Sequence, residues 1–244
     1  MPSSRSRRSE LERLGAVPFA HRGLHGSALV ENSGGAIAAA VAQGYGVELD
    51  VQLSADGQAM VFHDYDLDRL TIERGPLVER TAAELQAIRL YVVDEVMPRL
   101  SQALEMVDER VPLLIEVKSR DRRASRLCAA VAEALQAYRG PVGVMSFNPE
   151  VGAWFARHAP RVHRGLVVTE HGKRGLRGRI ERRLALWRSR ADFLAYDVRD
   201  LPSRFAAAAR ARGLSVYTWT VRTEADWANA NAHADQAIFE APSL

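Results

Sequence analysis

The stretch FLAYDVRDLPSRFAAAARARGLSVYTWTVRTEADWANANAHADQAIF, residues 193–239, decides the fold class. It contains three short apolar runs separated by two segments, 203–212 and 224–231, whose apolar residues recur with helical spacing. Gly213 follows the first of these segments, as glycine commonly does at the end of a helix. Repeated strand–helix units indicate a parallel sheet covered by helices.

The same alternation extends over most of the chain. We predict eight main strands, at 17–20, 47–53, 113–117, 142–145, 162–168, 193–196, 215–220 and 237–239. Each of them except the last is followed by a helix or by a segment that contains one. Eight such units in 244 residues fit an α/β fold of the closed (β/α)8 type, a TIM barrel, better than an open doubly wound sheet. No Gly-x-Gly-x-x-Gly motif opens the first helix, which weakens the dinucleotide-binding alternative further.

One segment, 64–98, is too long for a simple loop between a strand and a helix. We interpret it as a small insertion after the second strand, on the rim where barrels of this type place their active-site loops. We expect this rim insertion to shape substrate choice rather than stability. The predicted domain organisation is a flexible basic N-terminus, residues 1–15, followed by a single barrel domain, residues 16–244.

Composition excludes several classes of protein. The chain is 47% hydrophobic and 26% charged, which is ordinary for a globular domain. Its longest apolar run, 36–42, is much shorter than the ~18 residues that a membrane span needs. No apolar segment follows the N-terminal arginines as in a secretory signal, and Cys128 has no second cysteine to pair with. We therefore expect a cytoplasmic protein.

The positive charge is concentrated in one segment. The net charge is only +3, yet residues 157–190 contain eleven Lys or Arg and two acidic residues. Such asymmetry often marks a surface that faces phosphates, nucleic acid or anionic lipid. A solvated Arg-rich helix over 177–190 is a slightly better explanation of this charge. Lys173 and Arg174, in the loop before that helix, stay candidates for a functional contact. We expect no nucleic-acid partner and no stable membrane insertion, and leave open a transient contact with a lipid surface and the oligomeric state.

Acidic residues cluster on two neighbouring predicted strands. Glu48 and Asp50 lie two residues apart on the second strand, so their side chains point the same way. Glu116 and Lys118 repeat this spacing on the next strand. Three carboxylates in one cavity repel each other unless a cation lies between them, and oxygen ligands suit Mg²⁺ or Ca²⁺. The alternative is a structural Glu116–Lys118 ion pair, but charged residues are almost never buried without a partner, which favours a metal.

Two histidines flank the acidic cluster. His21 follows the first strand beside Arg22, and His63 closes the hairpin extension of the second strand beside Asp64. A histidine can accept or donate a proton near neutral pH, so the pair suggests general acid–base catalysis. A lone histidine at a strand end is more often structural, but two beside the same carboxylates favour function. We interpret His25 as incidental or as a supporting residue.

These residues belong to a series of motifs that resembles the glycerophosphodiester phosphodiesterases. The matching pieces are His21-Arg22-Gly23, Glu31-Asn32, Glu48-Leu49-Asp50-Val51, Asp56-Gly57, His63-Asp64, Ile115-Glu116-Val117-Lys118, Ser146-Phe147, Trp219-Thr220-Val221 and Glu240-Ala241-Pro242. The series covers nearly the whole chain, and its combination is specific although each piece alone is weak. The sequence departs from the family at its last motif, where Phe239-Glu240 replaces the usual Thr-Asp.

The resemblance implies a (β/α)8 fold with a small insertion and hydrolysis of glycerophosphodiesters to sn-glycerol 3-phosphate and an alcohol. It also implies a divalent cation, Mg²⁺ or Ca²⁺, and a small glycerophosphodiester as substrate. The implied site consists of the metal ligands Glu48, Asp50 and Glu116, the acid–base pair His21 and His63, and the substrate contacts Arg22, Lys118 and Trp219.

Other readings fit less well. An amidohydrolase would need a His-x-His motif after the first strand, whereas His21 and His25 are four residues apart. A glycosidase would use two carboxylates and give the paired histidines no role. An inactive barrel used as a binding module would be favoured by the loss of a chemical residue, and none is missing. A lysophospholipid-cleaving enzyme of the same fold is the serious alternative, and composition does not separate it from an enzyme for soluble diesters.

Overall fold

The structure, a computed structural model, describes residues 4–91, 93–119 and 124–241. Its strands are β1 Phe19–Ala20, β2 Gly46–Leu53, β3 Ala59–Val61, β4 Leu113–Val117, β5 Val142–Ser146, β6 His163–Val168, β7 Phe193–Asp197, β8 Ser215–Val221 and β9 Gln236–Phe239. Its α-helices are α1 Ser4–Leu14, α2 Gly34–Ala42, α3 Ala82–Gln86, α4 Leu100–Val107, α5 Ser125–Ala134, α6 Pro149–His158, α7 Leu176–Ser189, α8 Arg204–Ala211 and α9 Glu224–His233.

Eight parallel strands close into a barrel, as the sequence predicts. They follow one another in the order β1, β2, β4, β5, β6, β7, β8 and β9, and β1 pairs with both β2 and β9 to close the ring. β3 is antiparallel and extends β2 through a hairpin. Residues 120–123, and Pro242 of the last motif, lie outside the described residues.

The pleat of β2 explains why acidic residues enter the barrel. Val47, Leu49 and Val51 are fully buried against the surrounding helices, in the large cluster between sheet and helices. Because successive side chains of a strand point to opposite faces, Glu48 and Asp50 point into the barrel. Both are fully buried there. One strand thus serves the outer core with its apolar residues and the inner cavity with its acids.

We expect a flexible segment over residues 1–15, and residues 4–14, the described part that precedes Gly15, are instead helical; residues 1–3 lie outside the described residues. Residues 4–14 form helix α1, and Leu11 and Leu14, three residues apart on one face, pack against the cluster that includes Phe19 and Phe193. Arg7 donates to both carboxylate oxygens of Asp192, at 3.0 and 2.6 Å. The apolar residues among the arginines give this segment a face to bury, so it is ordered against the barrel.

The rim insertion has an apolar core of its own. Leu67, Leu77 and Leu85 are fully buried in a cluster that also contains Met60 and Phe62, which belong to β3 and the residue after it. The insertion contains the short helix α3, which begins with a capping box at Thr81. Because barrel residues share the core of the insertion, this packing argues against the expectation that the insertion does not contribute to stability.

The helices of the described ranges are all too short or too polar to cross a bilayer.

Candidate active site

The three predicted metal ligands meet at the carboxyl ends of β2 and β4. Asp50 and Glu116 are neighbours in the register of the two strands. One oxygen from each of Glu48, Asp50 and Glu116 lies within 4.8 Å of the other two, and all three residues are buried. The sequence spacing therefore brings together the three carboxylates that it predicts. Such a group is well suited to hold a hard divalent cation.

Two cations already contact part of this cluster. Lys118 Nζ lies 2.8 Å from Glu116 and 3.0 Å from Asp50. Arg22 Nε lies 3.1 Å from the second oxygen of Asp50. Burial opposes ionisation of Asp50, but the charges of Lys118 and Arg22 outweigh it and lower its pKa. The structural ion pair between Glu116 and Lys118 is thus present. Arg22 and Lys118, two of the predicted substrate contacts, are each paired with carboxylates.

Glu48 lacks such compensation, and this is where a metal fits. Its Oε2 accepts a hydrogen bond from the backbone N–H of Arg22 at 3.0 Å. Its Oε1 is buried and has no hydrogen-bond partner among the described residues. Burial, with the neighbouring charges of Asp50 and Glu116, raises the pKa of Glu48 well above its usual value. The cluster therefore carries an unsatisfied buried oxygen, and a bound divalent cation would satisfy it.

His21 is fixed by a residue from the far end of the chain. The carboxylate of Glu240 accepts a hydrogen bond from His21 Nδ1 at 2.7 Å, and Glu240 is itself bound by Arg222. This leaves Nε2 as the nitrogen that faces the carboxylates, 3.9 Å from Glu48. Burial lowers the pKa of His21, against the opposing effect of Glu240. His25 and Glu240 lie close enough to His21 to share a metal, but Glu240 is already satisfied by its two partners.

His63 is oriented in the same way by its neighbour in sequence. Asp64 accepts a hydrogen bond from His63 Nδ1 at 2.7 Å. Asp64 also binds Arg69, which makes two hydrogen bonds to Glu31, and Glu31 in turn accepts from Arg22. Burial lowers the pKa of His63, as it does for His21. The Nδ1 atom of each ring thus donates to a carboxylate, Glu240 or Asp64, which fixes the tautomer, and Nε2 points away from that carboxylate.

An unusual backbone turn places Arg22 and its neighbours. Arg22 and Asn32 have φ values of 56° and 59°, in the left-handed region that most residues avoid. Gly23 follows at φ 77°, and a Cβ there would lie 2.7 Å from the backbone carbon of Ala36. Asn32 exchanges two hydrogen bonds with Asp50. The turn after β1 therefore needs glycine at position 23 and ties the first motif to the carboxylates.

A cleft opens above the carboxylates. Its deeper part, about 440 Å³, is lined by the two histidines, the carboxylates Glu48 and Glu116, and Trp219. Trp219 Nε1 donates to the backbone of Ala195 at 2.9 Å, and its ring meets Phe147 edge to face at 5.6 Å. The structure therefore brings all eight predicted site residues to one face of the barrel, at or beside the cleft.

Sequence reasoning did not assign the residues that hold the histidines and Arg22. Glu240 was noted only as a departure from the family motif, and Asp64 and Glu31 only as motif members. Asp64 could have been assigned from its position next to His63. No local signal indicates Glu240, because 219 residues separate it from His21.

Comparison with known proteins agrees with this geometry. The protein is 34% identical over 163 residues to a glycerophosphodiester phosphodiesterase of Bacillus altitudinis, covering 62% of this chain and 66% of that protein. It is 32% identical over 151 residues to human glycerophosphodiester phosphodiesterase 1, covering 57% of this chain and 44% of that protein. The matched segments are thus shorter than two thirds of these relatives.

Solved structures cover more of the chain. An Oleispira antarctica phosphodiesterase in complex with the product sn-glycerol-3-phosphate superposes with a TM-score of 0.80, at 26% identity and over 91% of both chains. A glycerophosphodiester phosphodiesterase from Thermotoga maritima shares the fold, with a TM-score of 0.74 at 24% identity, over 91% of this chain and 94% of that one. The model of the glycerophosphoryl diester phosphodiesterase family matches residues 21–239. The chain belongs to the glycerophosphoryl diester phosphodiesterase family.

Proposed function

We propose that the protein hydrolyses glycerophosphodiesters to sn-glycerol 3-phosphate and an alcohol. The observation that carries the proposal is the convergence, in one cleft, of three buried carboxylates and two histidine rings. Each ring is held by its own carboxylate, so both present Nε2 for proton transfer. Membership of the family and the product named for the Oleispira structure support the same reaction. A binding module would have no need for two such oriented histidines.

The reaction that fits these residues proceeds in two steps. The glycerol hydroxyl next to the phosphodiester attacks phosphorus, one histidine accepts the proton of that hydroxyl, and the P–O bond to the alcohol breaks. The other histidine protonates the departing alcohol oxygen. In the second step water opens the cyclic phosphate, with the histidines in exchanged roles, and releases sn-glycerol 3-phosphate.

Glu48, Asp50 and Glu116 would hold the divalent cation, Mg²⁺ or Ca²⁺. When bound, the cation neutralises phosphate charge and orients the reacting oxygens. Lys118, whose ammonium group lies against Asp50 and Glu116, would bind the phosphate. Arg22 offers a planar guanidinium for the same group. Trp219, with Phe147 against its ring, would contact the glycerol or the departing alcohol.

A lysophospholipid is the second candidate substrate. The observation that favours it is Phe147, which stands at the cleft beside Trp219 with 47% of its surface exposed. An exposed aromatic residue at this point offers an apolar surface to an acyl chain.

The test is a comparison of glycerophosphocholine with lysophosphatidylcholine, each with Mg²⁺ or Ca²⁺ and after exhaustive EDTA treatment. Release of choline together with sn-glycerol 3-phosphate from the first substrate is the expected result, and its loss in EDTA is expected too. Glu48→Gln serves as the inactive control. Preference for lysophosphatidylcholine would establish the second candidate. No turnover of either substrate with either ion would contradict the proposal, and full turnover in EDTA would exclude the metal.

A further inference from the structure

Helix α7 exposes a stripe of large apolar side chains along the outside of the barrel. Leu176, Ile180, Leu184 and Trp187 are 71, 49, 60 and 75% exposed. Their spacing of four, four and three residues places them on one face of the helix. The opposite face is buried through Gly178, Arg182 and Ser189. We call these four residues the α7 stripe. A contiguous exposed apolar surface of this kind usually marks an interaction site.

Arginines border the α7 stripe on both sides. Helical spacing places Arg177 and Arg188 along one edge and Arg179 and Arg183 along the other. Arg177 and Arg188 have carboxylate partners, Glu181 and Glu150. In the ranges that the structure describes, no carboxylate lies within salt-bridge distance of Arg179 or Arg183. This edge therefore presents uncompensated positive charge beside exposed apolar side chains.

The same edge continues into a groove between α7 and α8. The groove has a volume of about 1030 Å³, and its lining includes Arg179, Arg183 and Trp187. Five more arginines line it: Arg174, Arg182, Arg199, Arg204 and Arg212. Arg182 is buried, and its Nε has no hydrogen-bond partner within the described part of the chain. Only two acidic residues, Glu170 and Asp200, lie among the groove residues. The groove is suited to anionic groups.

We propose that the α7 stripe and this groove dock the protein onto the surface of an anionic phospholipid membrane. A helix with Trp and Leu on one face and arginines beside it is the type that lies in the membrane interface. Negative headgroups would complement the arginines, while the stripe would enter the boundary with the acyl chains. A second copy of this chain fits less well, because a two-fold contact through this face would oppose arginine to arginine. The docking is independent of the proposed catalytic activity.

Vesicle binding tests this proposal. The probes are vesicles of phosphatidylcholine alone and vesicles that contain roughly one third phosphatidylglycerol. Each arginine at the surface of the anionic vesicles should strengthen binding several-fold. We expect sedimentation with the anionic vesicles only, weakened by salt. Arg179→Glu/Arg183→Glu and Leu184→Ser/Trp187→Ser should each lower the partition coefficient by roughly tenfold or more. Tryptophan fluorescence should shift to shorter wavelength on binding, and Trp187→Phe should remove most of that shift.

A matched control lies on the rim insertion. Ile72 is 76% exposed, close to the 75% of Trp187, and Arg74, two residues after Ile72, is exposed as well. Ile72→Ser/Arg74→Glu should leave vesicle binding unchanged. Thermal unfolding of every variant establishes that it is folded. Equal loss of binding in this control, no binding by the parent protein, or a dimer in solution that the α7 variants abolish would each overturn the proposal. These outcomes do not depend on turnover, so failure of the proposed activity would be distinguishable.

Discussion

Glu48 differs from the other two carboxylates of the cluster because no Lys or Arg side chain of the described residues lies within salt-bridge distance of it. Asp50 contacts Lys118 and Arg22, and Glu116 contacts Lys118. The buried Oε1 of Glu48 has no such contact in the described ranges. Leaving a buried oxygen unsatisfied costs free energy, and a bound divalent cation would recover it. Glu48 is therefore the residue at which loss of metal affinity and loss of a carboxylate are most directly linked.

We expect Glu48→Gln to lose metal affinity and activity together. The loss of affinity should exceed the ~10–100-fold that removal of a supporting residue outside the ligand set costs. His63→Ala should keep near-normal affinity if His63 transfers protons and does not ligate the metal. Calorimetric titration of Mg²⁺ and of Ca²⁺ into both variants measures this. Similar losses in the two variants would move His63 into the metal site.

Replacement of either histidine should abolish most of the chemistry. His21→Ala and His63→Ala should each lower kcat by ~2–4 orders of magnitude, because each ring is assigned a proton transfer in both steps. KM should change little, since in the proposed mechanism Arg22, Lys118 and the metal, rather than the histidines, would bind the phosphate. Steady-state kinetics with glycerophosphocholine measures both constants. A variant that retains kcat within a few-fold would remove its histidine from the mechanism.

Glu240 is expected to act on the reaction through the orientation of His21. Glu240→Ala should lower kcat by roughly 10²-fold, the order of loss that misplacement of a catalytic group causes. Glu240 raises the pKa of His21, so its removal should shift the acidic limb of the pH profile for kcat/KM to lower pH. Glu240→Gln, which keeps an acceptor oxygen, should recover part of kcat. A stability loss with unchanged kcat and pH profile would show a merely structural role.

At the scale of elements, the insertion carries more than loop chemistry. Leu77 and Leu85 are fully buried in a cluster with Met60 and Phe62, next to the strand that ends at the site. The sequence predicts that the insertion shapes substrate choice rather than stability, because rim loops vary function on a fixed barrel. Its apolar core forms between segments that are distant in sequence. We now expect the insertion to contribute to stability as well.

The corresponding prediction concerns Leu77→Ala. It should lower the free energy of unfolding by ~2–5 kcal/mol, the range for a large aliphatic side chain removed from a packed core. Ile72→Ala, which removes an exposed side chain from the same insertion, should change it little. Denaturant titration of the parent and both variants measures the difference. An unaltered midpoint for Leu77→Ala would show that the insertion unfolds independently of the barrel.

For the whole molecule, the acidic cluster couples stability to pH and metal. Burial raises the pKa of Glu48 and, less strongly, of Glu116. A raised pKa means that the folded protein keeps a proton that the unfolded chain releases near pH 4.5. The stabilising effect of these protons is present below that pH and is lost as the pH rises through the folded-state pKa. A divalent cation bound by the ionised carboxylates would replace these protons.

We therefore expect Mg²⁺ or Ca²⁺ to raise Tm more at about pH 8 than at about pH 5, because protons compete for the ligands at the lower pH. Thermal unfolding with and without each ion at both pH values measures the increment. Glu48→Gln should reduce the increment at the higher pH. An increment that is equal at both values, or larger at the lower one, would contradict the placement of the cation among these carboxylates.

The amino-acid sequence by itself determined the barrel and which acidic residues meet in its cavity. The period of two in β2 sends Glu48 and Asp50 to the face opposite Val47, Leu49 and Val51, whichever partners the strand has. The strand–helix alternation indicates that β2 and β4 are neighbours, which brings Glu116 to the same cavity. These features follow from the spacing of residues close together in the chain, and that spacing can be read directly from the sequence.

Only the tertiary structure decided what holds those residues in place. Closure of the barrel brings β9 beside β1, so that Glu240 meets His21 across 219 residues of sequence. Helix α1 packs onto the barrel because Leu14 shares an apolar cluster with residues of several strands. Lys118 reaches Asp50 only because β2 and β4 pair in register. Contacts between distant segments depend on how completed elements pack, and that packing leaves no periodic signal in the chain.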